Sequence, residues 1–407
     1  MQLNLKPGKT EMIIFAVSDC RRATLQQQHC FSLGGETVRY VAQYRYLGCQ
    51  VHERWAFGAD FKPRASHLLF KSLELRRELD HLDAARSVRL GLRLYDVKVR
   101  PSATYGSCVW ATRFHMVGPS SVVVRNTLEK QQLAFIRSWC HLRGSEPTWL
   151  IYRELGRMPL HYFWWRDVVR FANRVMHLPN NSIWKEMLMD SLQSCREGRK
   201  CWAGDLDKFL QNVGSTMHCD SGPMLDEPAV LASLCRAYDT VWDGLCRQPR
   251  QAPDRAKLAT YFAWFDSGSW LRPPKYLYFD FPAPATCTYL RFRLGSHNLQ
   301  VELGRWQNCR PRCDRLCQRC AMHEVDDEWH MVFDCPAFES LRAARRQLFS
   351  GRVAYDMVAF MRQKDQMGIF KHVLACLRDV SEILDVDHSQ DVDVGISERH
   401  DTYDSDD

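Results

Sequence analysis

The sequence has no hydrophobic run long enough to cross a membrane, which takes roughly 20 apolar residues in a helix. Its first apolar run, residues 12–17, is far shorter and does not have the layout of a secretory leader. The 17 cysteines are odd in number and follow no repeating framework, so a disulfide-built fold is not expected. We therefore expect an intracellular protein, in the nucleus and/or the cytoplasm, without a membrane partner.

Positive charge is spread over most of the chain and negative charge is concentrated at one end. The formal charge is +7, but residues 385–407 hold nine acids against one arginine, so residues 1–384 carry +15. A field of that sign attracts polyanions such as nucleic acids. The acidic segment has too few apolar residues to build a core, and we expect it to be disordered.

Hydrophobic patterning predicts an α+β fold that is mainly α. With 407 residues, of which 45% are hydrophobic, the chain can form two or three domains. Runs rich in β-branched and aromatic residues predict four short strands, at 11–17, 30–33, 37–41 and 46–51. Because a few short strands need a partner face, we expect the natural domain to begin upstream of Met1.

A helical period begins near residue 60 and dominates the remaining sequence. It predicts helices at 61–82, 84–113, 122–141, 160–177, 229–246, 336–349 and 366–380, and a short one around 289–291. The second of these carries an apolar stripe that should face the core, formed by Val88, Leu92, Tyr95 and Val99. Pro101 is expected to kink or divide that helix.

Stretches rich in Gly, Pro, Ser and Asp suggest loops that separate the predicted regions of the chain. They lie at 214–228 and 247–255, and a further boundary is suggested near Pro273-Pro274. The predicted regions are a small antiparallel β region (1–58), a helical region (59–213), a helical linker region (214–283), a basic metal-binding helical region (284–384) and the acidic tail (385–407).

The strongest chemical pattern is a set of three cysteines and one histidine within nineteen residues. Cys317 and Cys320 form a CxxC pair, which can bind one metal from a single turn, and His330 and Cys335 can return from a second element. Three thiols and one imidazole are a closed tetrahedral set for structural Zn²⁺, with no open position for catalysis. Pro336 suits the first position of a helix, so Cys335 should lie at a helix N-terminus, where the dipole favours a thiolate.

Two alternatives to this ligand set remain open. The four residues could be incidental cysteines and a histidine in a reducing compartment. Nearby residues could also replace one of the ligands, namely Cys309, Cys313 or His323, although Cys309 and Cys313 could instead simply pack on one helical face.

Arginines recur on one edge of the helix predicted after Ala84. They are Arg86, Arg89, Arg93 and Arg100, at offsets of zero, three, seven and fourteen. Their planar guanidinium groups could engage the phosphates of a duplex, whereas the alternative is a solvated face with local ion pairs. Further arginines around the cysteine cluster, Arg312, Arg315 and Arg319 among them, could form a second basic platform.

Several separated motifs together resemble the C-terminal half of a reverse transcriptase from a non-LTR (LINE-type) retrotransposon. The sequence LNLKPGKTE at residues 3–11 is similar to the lysine-bearing motif of the palm, and YRYLG at 44–48 is similar to the primer-grip hairpin. The sequence LRFRLGSH at 290–297, followed by the Cys/His cluster, resembles the cysteine-rich C-terminal region of that family. Shorter likenesses at 100–110 and 128–137 extend the resemblance over most of residues 1–350.

This resemblance implies an α+β arrangement of a palm remnant, a helical thumb and a zinc-bearing region. It implies RNA and RNA–DNA or DNA duplex as partners, and no small-molecule substrate. In the complete parent enzyme, an RNA-directed DNA polymerase, Lys9 would lie near the incoming nucleotide. Tyr46, Leu47 and Gly48 would hold the primer, and the helix arginines would follow the template–primer duplex.

One departure from the family pattern bears on activity. Polymerisation in this family needs Mg²⁺ held by palm aspartates that should precede Lys9, and that motif is absent from the sequence. We therefore expect a truncated protein that binds nucleic acid and is inactive alone, with Mg²⁺ required only in the complete parent. Rival hypotheses are a host-retained zinc-dependent RNA-binding protein and a helical scaffold with no nucleic-acid role.

Overall fold

The computed structural model describes most of the chain between residues 10 and 385. The described ranges are 10–15, 18–46, 49–54, 58–81, 87–114, 127–144, 146–218, 224–247, 261, 273–306, 310–350 and 356–385. The predictions for Lys9, Leu47, Gly48, Arg86 and Cys309, and for the acidic tail beyond residue 385, lie outside these residues.

The chain divides into two compact units. Unit 1 comprises Met1–Arg250 with Ser267–Cys287, and unit 2 comprises Gln251–Asp266 with Thr288–Asp407. The fold is mainly helical with a few small sheets, as predicted. None of the helices in the described ranges is both long and apolar enough to span a bilayer.

Unit 1 begins with short strands that form three two-stranded sheets. They are β1 (Glu11–Met12), β2 (Ser32–Leu33), β3 (Glu36–Thr37), β4 (Arg39–Tyr40), β5 (Gln43–Tyr46) and β6 (Cys49–His52). The β2–β3 and β5–β6 pairs are antiparallel as predicted, but β1 pairs with β4 in parallel. Within the strand predicted over 46–51, Tyr46 ends β5 and residues 49–51 belong to β6, its antiparallel partner, while residues 47 and 48 lie outside the described residues.

A helix that the sequence analysis did not predict interrupts these strands. Helix α1 (Asp19–Gln28) begins where the Ser18 side chain accepts a hydrogen bond from the backbone N–H of Arg21. Serine followed by an acidic residue is a helix-start signal. The surrounding strand-like runs concealed that signal.

Ten further helices of unit 1 follow in the described ranges. They are α2 (Gly58–His81), α3 (Val88–Lys98), α4 (Arg100–Thr104), α5 (Ser107–Trp110), α6 (Thr127–Trp139), α7 (Thr148–Leu155), α8 (Leu160–Met176), α9 (Ile183–Arg196), α10 (Trp202–Asn212) and α11 (Glu227–Arg247). Two short 3-10 turns lie at Ala111–Arg113 and Lys275–Tyr278. The helix predicted over 84–113 is divided as Pro101 predicted, since α4 begins at Arg100 with proline in its first turn.

Tight packing places α3, the helix that carries the predicted arginine stripe, against α6. The other stripe predicted on α3, the apolar one from Val88 to Val99, is buried. The indole Nε1–H of Trp139 donates to the Val88 carbonyl at 3.0 Å, which fixes the ring against the backbone of α3. Gly91 makes this approach possible, because a Cβ built on it would lie 2.2 Å from Cε2 of Trp139.

Replacing Gly91 by alanine should therefore destabilise unit 1, although alanine is intrinsically about 1 kcal/mol better than glycine inside a helix. The clash with the hydrogen-bonded, buried Trp139 ring outweighs that gain, and a net loss of about 2 kcal/mol is expected from overpacking. Urea unfolding of the two chains measures this difference in the free energy of unfolding. Gly204→Ala is the matched control, because a Cβ there meets Cys201 Sγ at an ordinary 3.5 Å. If Gly91→Ala were as stable as Gly204→Ala, the close approach would be absent in solution.

A buried carboxyl group joins α6, α7 and α8. Glu129 is fully buried and accepts hydrogen bonds from the Tyr152 hydroxyl, from Nε2 of Gln132 at 3.1 Å and from the Leu160 backbone N–H at 2.7 Å. Burial raises the pKa of Glu129 to about 7, and the hydrogen bonds only partly oppose that shift. The interior of unit 1 therefore contains a group that titrates near neutral pH.

Unit 2 combines several short helical segments with one 20-residue helix. Its described α-helices are α12 (Ala283–Arg293, which starts in unit 1), α13 (Gln300–Trp306), α14 (Glu339–Ala343), α15 (Met357–Met361) and α16 (Gln366–Asp385). The single helix predicted over 336–349 is wrong. A 3-10 turn (Pro336–Phe338), α14 and a second 3-10 turn (Arg346–Phe349) occupy that range, and the backbone leaves helical geometry at Arg345.

Candidate metal centre and arginine groove

A small hairpin presents the CxxC pair. Leu316 and Val325 form an antiparallel bridge, and the Cys317 backbone N–H donates to the Glu324 carbonyl at 2.8 Å. The chain reverses through His323, which has a left-handed φ of 53°. Cys317 and Cys320 thus come from one tight turn, as the spacing predicted.

The other two predicted ligands come from a helical segment that follows the hairpin. His330 opens a π-helical turn (His330–Asp334), and its backbone N–H donates to Oδ1 of Asp327 at 2.9 Å. Cys335 is the N-cap of the three-residue 3-10 turn that starts at Pro336, whereas the α-helix predicted to begin there starts only at Glu339. Single π-turns are frequent at functional sites.

The structure brings all four predicted ligand atoms together, within 4.8 Å of one another. Sγ of Cys317 and Sγ of Cys335 are 3.9 Å apart, and Sγ of Cys320 is 3.4 Å from Nε2 of His330. Tetrahedral zinc, with bonds of about 2.3 Å to sulfur and about 2.1 Å to nitrogen, places neighbouring sulfurs about 3.8 Å apart and sulfur and nitrogen about 3.6 Å apart. The cluster could therefore hold a metal ion of this size.

The acid–base properties of the two buried thiols are coupled. The Cys317 thiol hydrogen-bonds the sulfur of Cys335 and so lowers the pKa of Cys335, and the Ala337 backbone N–H acts in the same direction. The same hydrogen bond, together with burial, raises the pKa of Cys317 to about 11. The shared hydrogen bond therefore makes Cys335 the easier of the two thiols to ionise, and metal binding requires both to be deprotonated.

The second nitrogen of the histidine also fits a metal ligand. Nδ1 of His330 is buried and has no hydrogen-bond partner among the described residues, while Oδ2 of Asp334 lies 3.9 Å from it. A carboxylate near the outer nitrogen orients the ring of a metal-bound histidine. These four donors and the residues around them therefore fit a site for a structural cation better than they fit side chains that only pack in a core.

The predicted substitutes for these ligands lie elsewhere. Cys313 and His323 are exposed, and neither belongs to the cluster of ligand atoms. The Cys313 thiol donates to Oδ1 of Asp314 at 3.5 Å instead. Cys309 is outside the described residues.

A second layer of charged residues holds the hairpin to the rest of unit 2. Asp326 is fully buried, pairs with Arg319 and accepts from the Gln300 backbone N–H at 2.8 Å. Nε2 of His297 lies 3.0 Å from Oε1 of Glu328. Burial opposes ionisation of Glu328, but the hydrogen bond and charge of His297 outweigh it and hold the pKa below its ordinary value.

The three arginines predicted to form a basic platform have different surroundings. Arg312 keeps 41% of its side chain exposed and pairs with Asp327 at 2.6 Å. Arg319 is buried against Asp326. Arg315 is also buried, and its guanidinium donates to the carbonyls of Val301 and Arg310. Arg315 and Arg319 are thus engaged inside unit 2, and they form no part of the interface proposed below.

In unit 1, three of the four arginines of the predicted stripe line one groove. The groove has a volume of about 550 Å³ and lies between α3, the start of α8 and the 3-10 turn Lys275–Tyr278. Arg89 and Arg93 are exposed and Arg100 is half-buried. Arg86 is outside the described residues.

Aromatic rings accompany two of these arginines. The guanidinium carbon of Arg89 lies 4.3 Å from the ring centroid of Tyr278, and that of Arg100 lies 4.0 Å from the centroid of Phe163. Such contacts are favourable and hold both partners in place. Trp164 and Trp165, beside Phe163 in sequence, are buried in the core, as expected for most aromatics.

Positive charge in the groove is only partly compensated. Asp96 pairs with Arg157 at 2.5 Å and with Arg100 at 3.1 Å. Among the described residues, neither Arg89 nor Arg93 makes an ion pair. The groove therefore combines two uncompensated cations with aromatic surface, which suits an anionic, planar ligand.

Among the residues that line this groove, Arg157 and Tyr278 bring charge and an aromatic ring that the sequence did not predict. Arg157 follows Gly156, whose left-handed φ of 58° ends α7, and Tyr278 ends a 3-10 turn. Neither lies on a periodic face, so only the tertiary fold brings them to α3. Tyr46, the one described residue of the predicted primer grip, is the last residue of β5 and pairs with Cys49.

Comparison of the chain with protein-family profiles, with curated proteins and with solved structures found no match.

Proposed function

We propose that the protein binds nucleic acid through the arginine groove of unit 1 and is braced in unit 2 by a structural zinc ion. Support for the first part comes from the groove, where Arg89 and Arg93 present uncompensated charge beside Tyr278 and Phe163. Phosphate contacts by arginine supply most of the sequence-independent affinity for nucleic acids.

Zinc is proposed because of the donor set. Three thiols and one imidazole form the closed, soft-ligand tetrahedron that zinc favours, and four protein ligands leave no position for substrate. Cys317, Cys320, His330 and Cys335 would hold the ion, which would supply structural stabilisation and no reaction chemistry.

We further propose that the chain corresponds to the C-terminal half of a non-LTR retrotransposon reverse transcriptase and does not polymerise alone. The motif order in the sequence supports this proposal. The adjacent acids Asp326 and Asp327 form ion pairs with Arg319 and Arg312, so we do not propose them as a magnesium site. No residue of the chain is assigned a catalytic role.

Salt dependence tests the nucleic-acid proposal. Replacing Arg93 by alanine should weaken binding of single- and double-stranded RNA and reduce the slope of log K against log salt by roughly 0.7 to 0.9, the contribution of one phosphate contact. Arg174→Ala is the matched control, because Arg174 is exposed on α8 away from the groove. Affinity that hardly responds to salt, or equal losses in the two variants, would favour a scaffold without a nucleic-acid role.

A further inference from the structure

The aromatic wall of the groove includes one largely exposed ring, that of Tyr278. Tyr278 lines the groove and remains 52% exposed. Arg89 covers part of the ring at 4.3 Å and so restricts its orientation. An oriented, exposed tyrosine ring is the kind of platform on which unpaired bases stack.

The cations lie at a suitable place for the backbone of the same ligand. Arg93 is exposed on α3, lines the groove, and makes no ion pair among the described residues. Arg100 and Arg157 are less exposed than Arg93, and both form ion pairs with Asp96, which partly neutralises their charge. Arg93 is thus the cation best able to take a phosphate at the rim.

The size of the groove limits what can enter it. A volume of about 550 Å³ is within the range of pockets that hold a small ligand, and it suits one nucleotide. The base faces of a duplex are stacked on their neighbours, so a duplex could offer only its phosphates to the rim. A single strand can turn one base into the groove.

We propose that this groove binds one unpaired nucleotide of a single strand, with its base stacked on Tyr278 and its phosphate on Arg93. The inference rests on the nucleic-acid binding proposed above and makes it more specific. Stacking has little base preference, because every base has a π face, so the site would favour single strands without reading their sequence.

The test compares a base-bearing single strand with a strand that lacks bases and with a duplex whose bases are already stacked. Fluorescein-labelled single-stranded RNA, an abasic ribose–phosphate strand of the same length and a blunt RNA duplex are titrated with the full chain at fixed salt. The wild-type chain should bind the base-bearing strand about tenfold more tightly than the abasic strand, as expected for one stacked base. Tyr278→Ala should abolish that difference and Tyr278→Phe should retain it.

Tyr105→Ala is the matched control, because Tyr105 has the same exposure, 51%, and lies outside the groove. It should bind all three ligands as the wild type does. The comparison of ligands on the wild-type chain needs no variant, so it stays decisive even if Tyr278→Ala fails to fold.

Failure of this inference can be distinguished from failure of the proposed function. Salt-dependent binding that is equal for base-bearing and abasic strands, or tighter for the duplex, overturns the unpaired-nucleotide site and leaves nucleic-acid binding standing. Absence of salt-dependent binding to all three ligands overturns both.

Discussion

Replacing Cys335 by serine is expected to abolish stoichiometric metal binding and to unfold much of unit 2. Cys335 is fully buried, its sulfur lies 3.9 Å from that of Cys317, and it caps the turn that begins at Pro336. A serine hydroxyl is a poor zinc ligand and would leave three donors around the ion. Structural zinc contributes about 10 kcal/mol or more to small domains that depend on it, which is comparable to the whole stability of a domain.

Elemental analysis and circular dichroism of the purified chain measure this effect. The wild type should contain about one zinc per chain, and the variant well below half of that, with a loss of helical signal and of the unfolding transition of unit 2. A chelator should produce the same loss in the wild type.

Cys313→Ser provides the matched control, since Cys313 is exposed and outside the ligand cluster. It should keep its zinc and its stability. A wild-type chain with less than about half an equivalent of zinc, unchanged by Cys335→Ser, would exclude the proposed site.

The stability of unit 1 is expected to decrease as the pH rises toward neutrality, because of Glu129. Burial raises its pKa from 4.5 to about 7 in the folded chain, so the native state holds the proton more tightly than the unfolded state does. The resulting stabilisation is fully present below about pH 4.5 and is lost as the pH approaches 7. Linkage gives a change of about 3 kcal/mol over that interval.

Glu129→Gln removes the titrating group and nearly preserves its shape. The free energy of unfolding of the wild type, measured relative to this variant by urea titration, should fall by about 3 kcal/mol between pH 4.5 and 7. Glu186→Gln, at an exposed position of α9, should show no such difference. A wild-type chain whose stability ran parallel to that of Glu129→Gln would mean that Glu129 stays ionised in the fold.

Periodic patterns in the sequence predicted most long helices, since burial of one face imposes a period of 3.6 residues. The apolar stripe of α3 and the break at Pro101 are clear cases. Prediction failed where local signals compete: α1 lies among strand-like runs, and the 336–349 segment changes between 3-10 and α geometry. Parallel pairing of β1 with β4 depends on contacts across 28 residues, which local patterns do not encode.

The Cys/His cluster that could hold a metal ion was predictable because ligand spacing in a tight turn is a local property, and the structure brings the four side chains together. The arginines were harder to assign. Arg315 and Arg93 contribute the same charge to the sequence. The fold nevertheless buries the Arg315 guanidinium against backbone carbonyls and exposes that of Arg93 in the groove. Tyr278 reaches that groove through tertiary packing alone.

Arg315 links parts of unit 2 that are distant in sequence. Its guanidinium donates to the carbonyl of Val301 in α13 at 2.7 Å, and its own carbonyl accepts from the Asp326 N–H at 2.8 Å. Detaching the hairpin that carries Cys317 would therefore break both of these hydrogen bonds and leave the Val301 carbonyl of α13 without its guanidinium donor. Release of the ion and melting of α13 would form a single cooperative event, in which amide protection against hydrogen exchange is lost from both segments at once.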